Sequence, residues 1–223
     1  MNNKCIFFPK TIFELKTIIL QQISKYGNEC NLNNIDTSKI TNMNSLFSKS
    51  NFNGDISEWD VSNVTDMSYM FYKSKFNGNI SNWNVGNVTN TRLMFYGTVF
   101  NQDISKWDVS NVTTMFLMFG HSKFNGNISN WNVGKVITIF SMFENSKFNS
   151  DISKWDVSNV TNMNSMFFKS EFNQDILNWF TKLNVNCNLN YFIKTKNIEI
   201  NSYGDFKKYY RQIILNKLLN VIQ

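Results

Sequence analysis

The sequence predicts an α/β solenoid, a leucine-rich-repeat-like stack of short units closed by a helix at each end. A 24-residue unit recurs without insertion over residues 52–179. Its copies begin at Phe52, Phe76, Phe100, Phe124, Phe148 and, shortened, Phe172. Units of this length bury their apolar side only against their neighbours, so the outermost units need caps.

The N-terminal segment, residues 1–27, is predicted to be a capping helix. Thr11 and Glu14 form a T-x-x-E capping box, and Gly27 suits the C-terminal end of a helix. The apolar residues between them follow one helical stripe: Ile12, Leu15, Ile18, Ile19 and Ile23.

The repeat array, residues 28–179, is predicted to hold about six to seven repeats of one strand and one short helical turn. We number each repeat from its leading Phe as position 1. The residues at positions 8 and 10, such as Trp59 and Val61, are two apart, as on one side of a strand. Met67, Met70 and Phe71 at positions 16, 19 and 20 have helical spacing. The stack is therefore expected to have a parallel sheet on one side and helical turns on the other.

The C-terminal segment, residues 180–223, is predicted to be a second cap that ends in an amphipathic basic helix from about Asp205. Its predicted apolar residues are Phe206, Tyr210, Ile213, Ile214, Leu218 and Val221. Its predicted basic residues are Lys207, Lys208, Arg211 and Lys217.

Charge and composition exclude several partner classes. The net charge is +6, but residues 28–179 contain 11 basic and 13 acidic residues, so the excess lies at the ends. Without a basic stripe along the repeats, we expect no nucleic-acid partner. We expect no membrane span and a cytoplasmic or intracellular location, since neither a signal peptide nor a long apolar stretch is present. Cys5, Cys30 and Cys187 are scattered, which predicts reduced thiols. The bias toward Asn, Lys, Ile and Phe is typical of an AT-rich genome.

No arrangement typical of catalysis or of a cofactor occurs. His121, the single histidine, stands at position 22, which differs from repeat to repeat. Neither a phosphate-binding glycine loop nor a nucleophile elbow is present. The aspartate rows are expected to face outward along a sheet, where their oxygens do not converge on a Ca²⁺ ion. We therefore predict a non-enzymatic protein with no catalytic residues, metal or cofactor.

Two sets of repeated residues have competing interpretations. The six tryptophans at position 8 could form an exposed ladder for sugars or bases, but their spacing from Val at position 10 favours a buried column. The Asn at position 2 of the six copies that begin with Phe is interpreted as a turn residue that satisfies backbone groups.

The predicted binding site lies at positions 7 and 9. These carry Glu58 and Asp60, Asn82 and Asn84, Lys106 and Asp108, Asn130 and Asn132, and Lys154 and Asp156. Alternating Asp with Asn separates like charges to about 10 Å instead of about 5 Å, so stability alone explains the pattern. The same residues equally form a polar surface suited to a protein partner. Both interpretations remain open.

The repeat F-N-x-D/N-I-S-x-W-D/N-V-S/G-N-V-T-x-M-x-x-M-F resembles that of the BspA-like leucine-rich-repeat family of mycoplasma and other bacterial surface proteins. The resemblance covers residues 28–179. It implies a curved solenoid for adhesion or protein binding, and with it exposure at a cell surface. The expected function is a protein–protein interaction scaffold that uses the exposed strand face, and the alternative is a surface adhesin or virion-associated structural protein. Partner identity and oligomeric state are left unassigned.

Overall fold

The computed structural model describes residues 6–179, 181–194 and 199–221. Its helices are α1 (Ile12–Tyr26) and α2 (Tyr203–Val221), with a short 3-10 helix at Leu177–Trp179. Its strands are β1 (Phe167–Phe168), β2 (Ile193–Lys194) and β3 (Glu199–Ile200). They form one sheet, in which β2 pairs parallel with β1 and antiparallel with β3. Cys5 lies outside the described residues, as do the side chains of Ile213, Ile214, Lys217, Leu218 and Val221.

Helix α1 occupies the segment predicted for the N-terminal helix. The Thr11 hydroxyl caps it by accepting the Glu14 N–H at 3.2 Å. Gly27 ends it with a φ of +85°, a conformation that glycine adopts without steric cost. Leu15 and Ile19 are buried in the core of the first repeat units. The helix therefore covers apolar surface at one end of the array.

The repeats are stacked in register through parallel backbone pairing. Isolated parallel bridges join position 15 of each repeat to the next repeat, through Asn42, Asp66, Asn90, Thr114, Thr138, Asn162 and finally Asn188. After this bridge, every second backbone N–H donates to a carbonyl of the next repeat. For example, the Met67 N–H donates to the Asn90 carbonyl at 3.0 Å and the Phe71 N–H donates to the Met94 carbonyl at 2.9 Å. On another side of the repeat, the Thr65 N–H donates back to the Thr41 carbonyl at 2.8 Å. Each repeat is thus bonded to both neighbours.

The segment predicted to be a strand, positions 7–11, consists of β-turns. The segment predicted to be a helical turn, positions 16–20, also consists of β-turns. Positions 5–8 and 10–13 each close an i→i+3 hydrogen bond, as from Trp59 to Ile56 at 3.2 Å and from Val64 to Val61 at 2.9 Å. Positions 18 and 22 have positive φ, 58° at Tyr69 and 51° at Lys73, which a right-handed helix excludes. Parallel pairing therefore follows positions 15–22 rather than 7–11. The leucine-rich-repeat classification stays a prediction.

The six tryptophans form a buried column, which confirms the core interpretation. Each indole Nε1–H donates to the position 5 carbonyl of the preceding repeat, as from Trp83 to Ile56 and from Trp107 to Ile80, both at 3.1 Å. The Trp59 and Trp83 rings are parallel within 2°, with centroids 6.5 Å apart. Each ring thus fills the core while its one polar atom stays paired, which buried tryptophan requires.

Repeated Asp and Asn side chains satisfy backbone N–H groups at the turns. At positions 4 and 9 they accept the N–H two residues later, as from Ser57 to Asp55 at 2.9 Å and from Gly134 to Asn132 at 3.1 Å. Asp and Asn share this geometry, so either residue closes the turn.

The Asn at position 2 forms a ladder from repeat to repeat. Its Oδ1 accepts the N–H of its counterpart in the following repeat, for example from Asn77 to Asn53 at 2.7 Å and from Asn173 to Asn149 at 2.9 Å. This confirms that the repeated Asn satisfies backbone groups.

We expect Trp107→Phe to destabilise the protein by about 2–3 kcal/mol, because it removes a buried hydrogen bond and leaves unfilled core volume. Urea unfolding followed by far-UV circular dichroism measures the change. Lys106→Ala, at an exposed neighbouring position, is the control and should change the free energy of unfolding by less than about 0.5 kcal/mol. Equal midpoints for wild type and Trp107→Phe would contradict the role of the indole.

Acid should destabilise the fold through the turn aspartates. Hydrogen bonds from the Ser110 hydroxyl and N–H lower the pKa of Asp108, and those from Ser158 lower the pKa of Asp156. An aspartate whose pKa is lowered by folding stabilises the folded state at pH values above its unfolded-state pKa of about 3.9. This stabilisation is lost as the pH falls through its folded-state pKa. We expect the urea midpoint to fall between about pH 5 and pH 2, and to fall less in Asp108→Asn/Asp156→Asn.

The midpoints of this variant and wild type should nearly coincide at neutral pH, since Asn closes the same turn in alternate repeats. Glu58→Gln is the control, because position 7 is not a turn-closing position. The same acid sensitivity in the double variant and in wild type would exclude the turn aspartates as its source.

Candidate binding face

The ten residues predicted for binding are all exposed, on the side of the stack formed by the β-turns. Those at position 9 already act in the turns, since Asp60 and Asp108 accept the N–H of Ser62 and Ser110 at 2.9 and 3.0 Å. Turn formation accounts for Asp or Asn at position 9, but not for Glu58, Lys106 and Lys154 at position 7. A binding role for these residues stays a prediction.

A second surface lies on the outside of the parallel-paired segments. There Met67, Met70 and Phe71, at positions 16, 19 and 20, are fully buried, while the large side chains at positions 17 and 21 and the side chains at position 22 reach the surface. We call the side chains of this surface the aromatic face. Its members are partly or fully exposed: Tyr69, Tyr72, Lys73, Arg92, Tyr96, Phe116, His121, Phe140 and Phe168.

Rings of the aromatic face stack from one repeat to the next. The Tyr72 and Tyr96 centroids lie 5.3 Å apart with planes at 14°, and those of Phe116 and Phe140 lie 5.1 Å apart at 8°. The His121 ring lies 5.1 Å from Tyr96 and extends the tyrosine group by one repeat. In each pair one ring face therefore lies against its neighbour, and all four rings remain partly exposed.

Two cations join the rings between Tyr69 and Phe140 into one cluster, whereas Phe168 contacts Tyr191 and Lys169. The Arg92 guanidinium lies 4.6 Å from the Phe116 centroid and 5.9 Å from that of Tyr69, and so connects the tyrosines with the phenylalanine pair. Lys73 Nζ lies 5.3 Å from the Tyr72 centroid and 5.8 Å from that of Tyr96. Each contact contributes about 0.5–1 kcal/mol at an exposed site. These contacts therefore restrict the side chains before any partner binds.

Polar groups of the aromatic face offer defined hydrogen-bonding roles. Burial raises the pKa of the Tyr96 phenol, which therefore stays protonated at neutral pH and can donate or accept. The Asn145 Nδ2 lies within hydrogen-bonding distance of His121 Nδ1, at 2.9 Å, and so joins these two side chains of neighbouring repeats. The face thus combines apolar edges with donors and positive charge.

The repeat pattern only hints at this surface. Thr91 and Arg92 depart from the pattern, which is compatible either with a weak point of the stack or with part of a partner surface. The variability of position 22 predicts that His121 faces solvent, and the structure confirms that His121 is exposed. The sequence does contain a signal for the aromatic face. Position 17 carries Ser68, Arg92, Phe116, Phe140 and Asn164 in successive repeats. Large side chains that replace small polar ones inside a strict repeat mark a surface that the stack itself does not require.

The described residues hold no group of three or more His, Cys, Asp or Glu side chains that could bind a metal ion. Neither of their two long helices has the length and apolar character to cross a membrane. Cys187 is buried, and this burial raises the pKa of its thiol to about 11. The thiol therefore remains protonated at neutral pH.

Comparison with protein families agrees with the repeat pattern. The family described as "Mycoplasma protein of unknown function, DUF285" matches residues 15–123 and again residues 98–204. No curated protein and no solved structure matches the chain. The two overlapping matches confirm the expected relation to a mycoplasma repeat family, whereas the narrower BspA-like assignment stays a prediction. With the matches spanning most of its length, the chain belongs to the DUF285 family of mycoplasma proteins.

Proposed function

We propose that the protein is a non-enzymatic scaffold, a capped solenoid that binds a protein partner through the aromatic face. The observation that carries this proposal is the continuous cluster of half-exposed rings around Arg92 and Lys73. It differs from the initial expectation in the surface used, since positions 15–22 rather than 7–11 form the paired segments.

The composition of the aromatic face favours a protein partner. Tyrosine, phenylalanine and arginine are enriched at protein interfaces, and tyrosine and arginine are frequent among the residues that contribute most to binding. The stacking between Tyr72 and Tyr96 and between Phe116 and Phe140 already restricts these side chains. Binding would therefore cost little further side-chain entropy.

The ring geometry argues against sugars and bases as ligands. Such ligands stack on an open ring face. Here the Tyr72 and Tyr96 rings face one another at 5.3 Å, and Arg92 lies 4.6 Å over Phe116. The remaining edges and hydroxyl groups suit the side chains and backbone of a polypeptide.

A second proposal follows from the resemblance of the repeat to bacterial surface proteins and from the match to a mycoplasma family. In it the chain is a surface adhesin or a virion-associated structural protein, and the aromatic face contacts a protein outside the cell. Antibody labelling of intact cells or particles separates this proposal from an intracellular scaffold. Labelling only after permeabilisation would eliminate it.

Photo-crosslinking tests the proposed surface. Benzoylphenylalanine placed at Phe116 or at Phe140 should give one dominant protein adduct in a native extract of the source cells. Both positions lie at half-exposed rings of the aromatic face, so the probe replaces a ring of similar shape. Adducts are detected by gel shift and identified by mass spectrometry.

The same probe at Asn82 or Asn130, exposed at position 7, is the matched control and should give no such adduct. An adduct from Asn82 and Asn130 alone would transfer the binding site to positions 7 and 9. The absence of protein adducts from all four positions would overturn the scaffold proposal.

A further inference from the structure

Charge is divided between two sides of the repeat array, although the array is close to neutral in total. The charged residues on the turn side are mostly acidic. At positions 4, 7 and 9 they are Asp36, Asp55, Glu58, Asp60, Asp103, Asp108, Asp151, Asp156 and Asp175, against four lysines of the same turns, Lys39, Lys106, Lys135 and Lys154. Net charge alone hides this division because cations on a second side compensate for it.

A second side of the array is basic, which corrects the expectation that no basic stripe follows the repeats. Positions 17, 22 and 24 carry exposed cations that we call the basic edge: Lys49, Lys73, Lys75, Arg92, Lys123, Lys147 and Lys169. Two acidic residues lie among them, Glu144 and Glu171, of which Glu171 forms an ion pair with Lys147. Lys73 and Arg92 belong to both the basic edge and the aromatic face, so the two surfaces are continuous.

We propose that the partner segment recognised by the aromatic face is an acidic stretch of polypeptide, an inference that rests on the proposed function. Cations of consecutive repeats, such as Lys49 and Lys73, are separated by one repeat, about 4.8 Å for paired backbones. Carboxylates along an extended chain therefore meet several of them. Aromatic or apolar side chains of the same segment would contact the ring edges beside Arg92.

Charge complementarity would raise the rate of association with this partner and the selectivity of binding. A surface of one sign attracts an oppositely charged segment before contact and repels segments of like charge. The acidic turn side would repel the same segment, so the division of charge selects which side of the stack is used.

Two other anionic occupants fit less well. Nucleic acid would stack its bases on open rings, yet the Phe116 and Phe140 rings already face one another with centroids 5.1 Å apart. A second copy of the chain would offer its own turn side, where Lys106 and Lys154 stand two residues from Asp108 and Asp156 and would repel the basic edge. An acidic polypeptide carries no such lysines.

Fluorescence anisotropy with the full chain tests the inference. The probe is a labelled peptide in which Glu and Tyr alternate, compared with the same peptide carrying Gln in place of Glu. The Glu peptide should bind at least about tenfold more tightly, and its affinity should fall as salt rises from about 0.05 M to about 0.5 M. Equal binding of the two peptides would overturn the proposal.

Charge reversal then locates the site. Lys73→Glu/Arg92→Glu should weaken binding of the Glu peptide by about tenfold or more. Lys106→Glu/Lys154→Glu makes the same change in net charge on the turn side and should retain binding. Equal weakening by both variants would overturn the proposal by showing general charge attraction. Urea midpoints that match wild type establish that the variants fold. If the variants do not fold, the comparison of the Glu and Gln peptides on the wild-type protein decides whether the partner is acidic.

The competing occupants have their own outcomes. Tighter binding of a labelled oligothymidylate than of the Glu peptide would assign the basic edge to nucleic acid. Salt-sensitive self-association in sedimentation, lost in Lys73→Glu/Arg92→Glu, would assign it to a second copy. A crosslinked partner at Phe116 together with failure of the Glu peptide would reject the acidic partner while leaving the scaffold function intact. No crosslink from any probe position would reject the function itself.

Discussion

The stack depends on one constraint, namely that each repeat must present its backbone N–H and carbonyl groups in register with the next. From Met67 to Lys73, alternate N–H groups donate to the following repeat at 2.7–3.0 Å. A chain segment that turns while it keeps this pairing needs a residue with positive φ every fourth position, which Tyr69 and Lys73 provide. The same register aligns the tryptophan and asparagine ladders, so a single inserted residue would disrupt all three systems together.

The structures at the two ends of the array are required by the same constraint, because a terminal repeat has a neighbouring repeat on one side only. At the N-terminal end, Leu15 and Ile19 of α1 are buried against the first repeats. At the C-terminal end, β1 pairs with β2, and Phe192 and Phe206 pack edge to face at 6.1 Å. Backbone pairing is thus continued by a short sheet, and the apolar core is covered by helix α2 rather than by another repeat.

Much of this structure could be predicted from the sequence, in particular the period, the buried tryptophan column and α1, because burial and capping leave direct spacing patterns. The repeat conformation could not. Consecutive β-turns bring positions 16, 19 and 20 inward just as a helical turn does, and the positive φ falls mostly on residues such as Tyr69 and Lys73, with glycine at only one of these positions, Gly97. Since the paired segment was placed elsewhere, the aromatic face and the division of charge remained hidden.

Some positions of the repeat hold the stack together through their side chains and others do not. This difference explains why a binding surface would lie where the repeat sequence varies most. Asn at position 2 and Asp or Asn at positions 4 and 9 each satisfy a backbone N–H, as in Asn77 with Asn53 and Ser110 with Asp108. Replacing these residues would weaken the stack. The backbone groups at the outward positions 17 and 21 take part in the pairing whatever side chain is present, so these side chains can differ without loss of the ladder. A stack of this kind could acquire a partner by changing Arg92 or Phe116, at the loss of ring contacts between repeats but with the backbone pairing and the tryptophan and asparagine ladders retained.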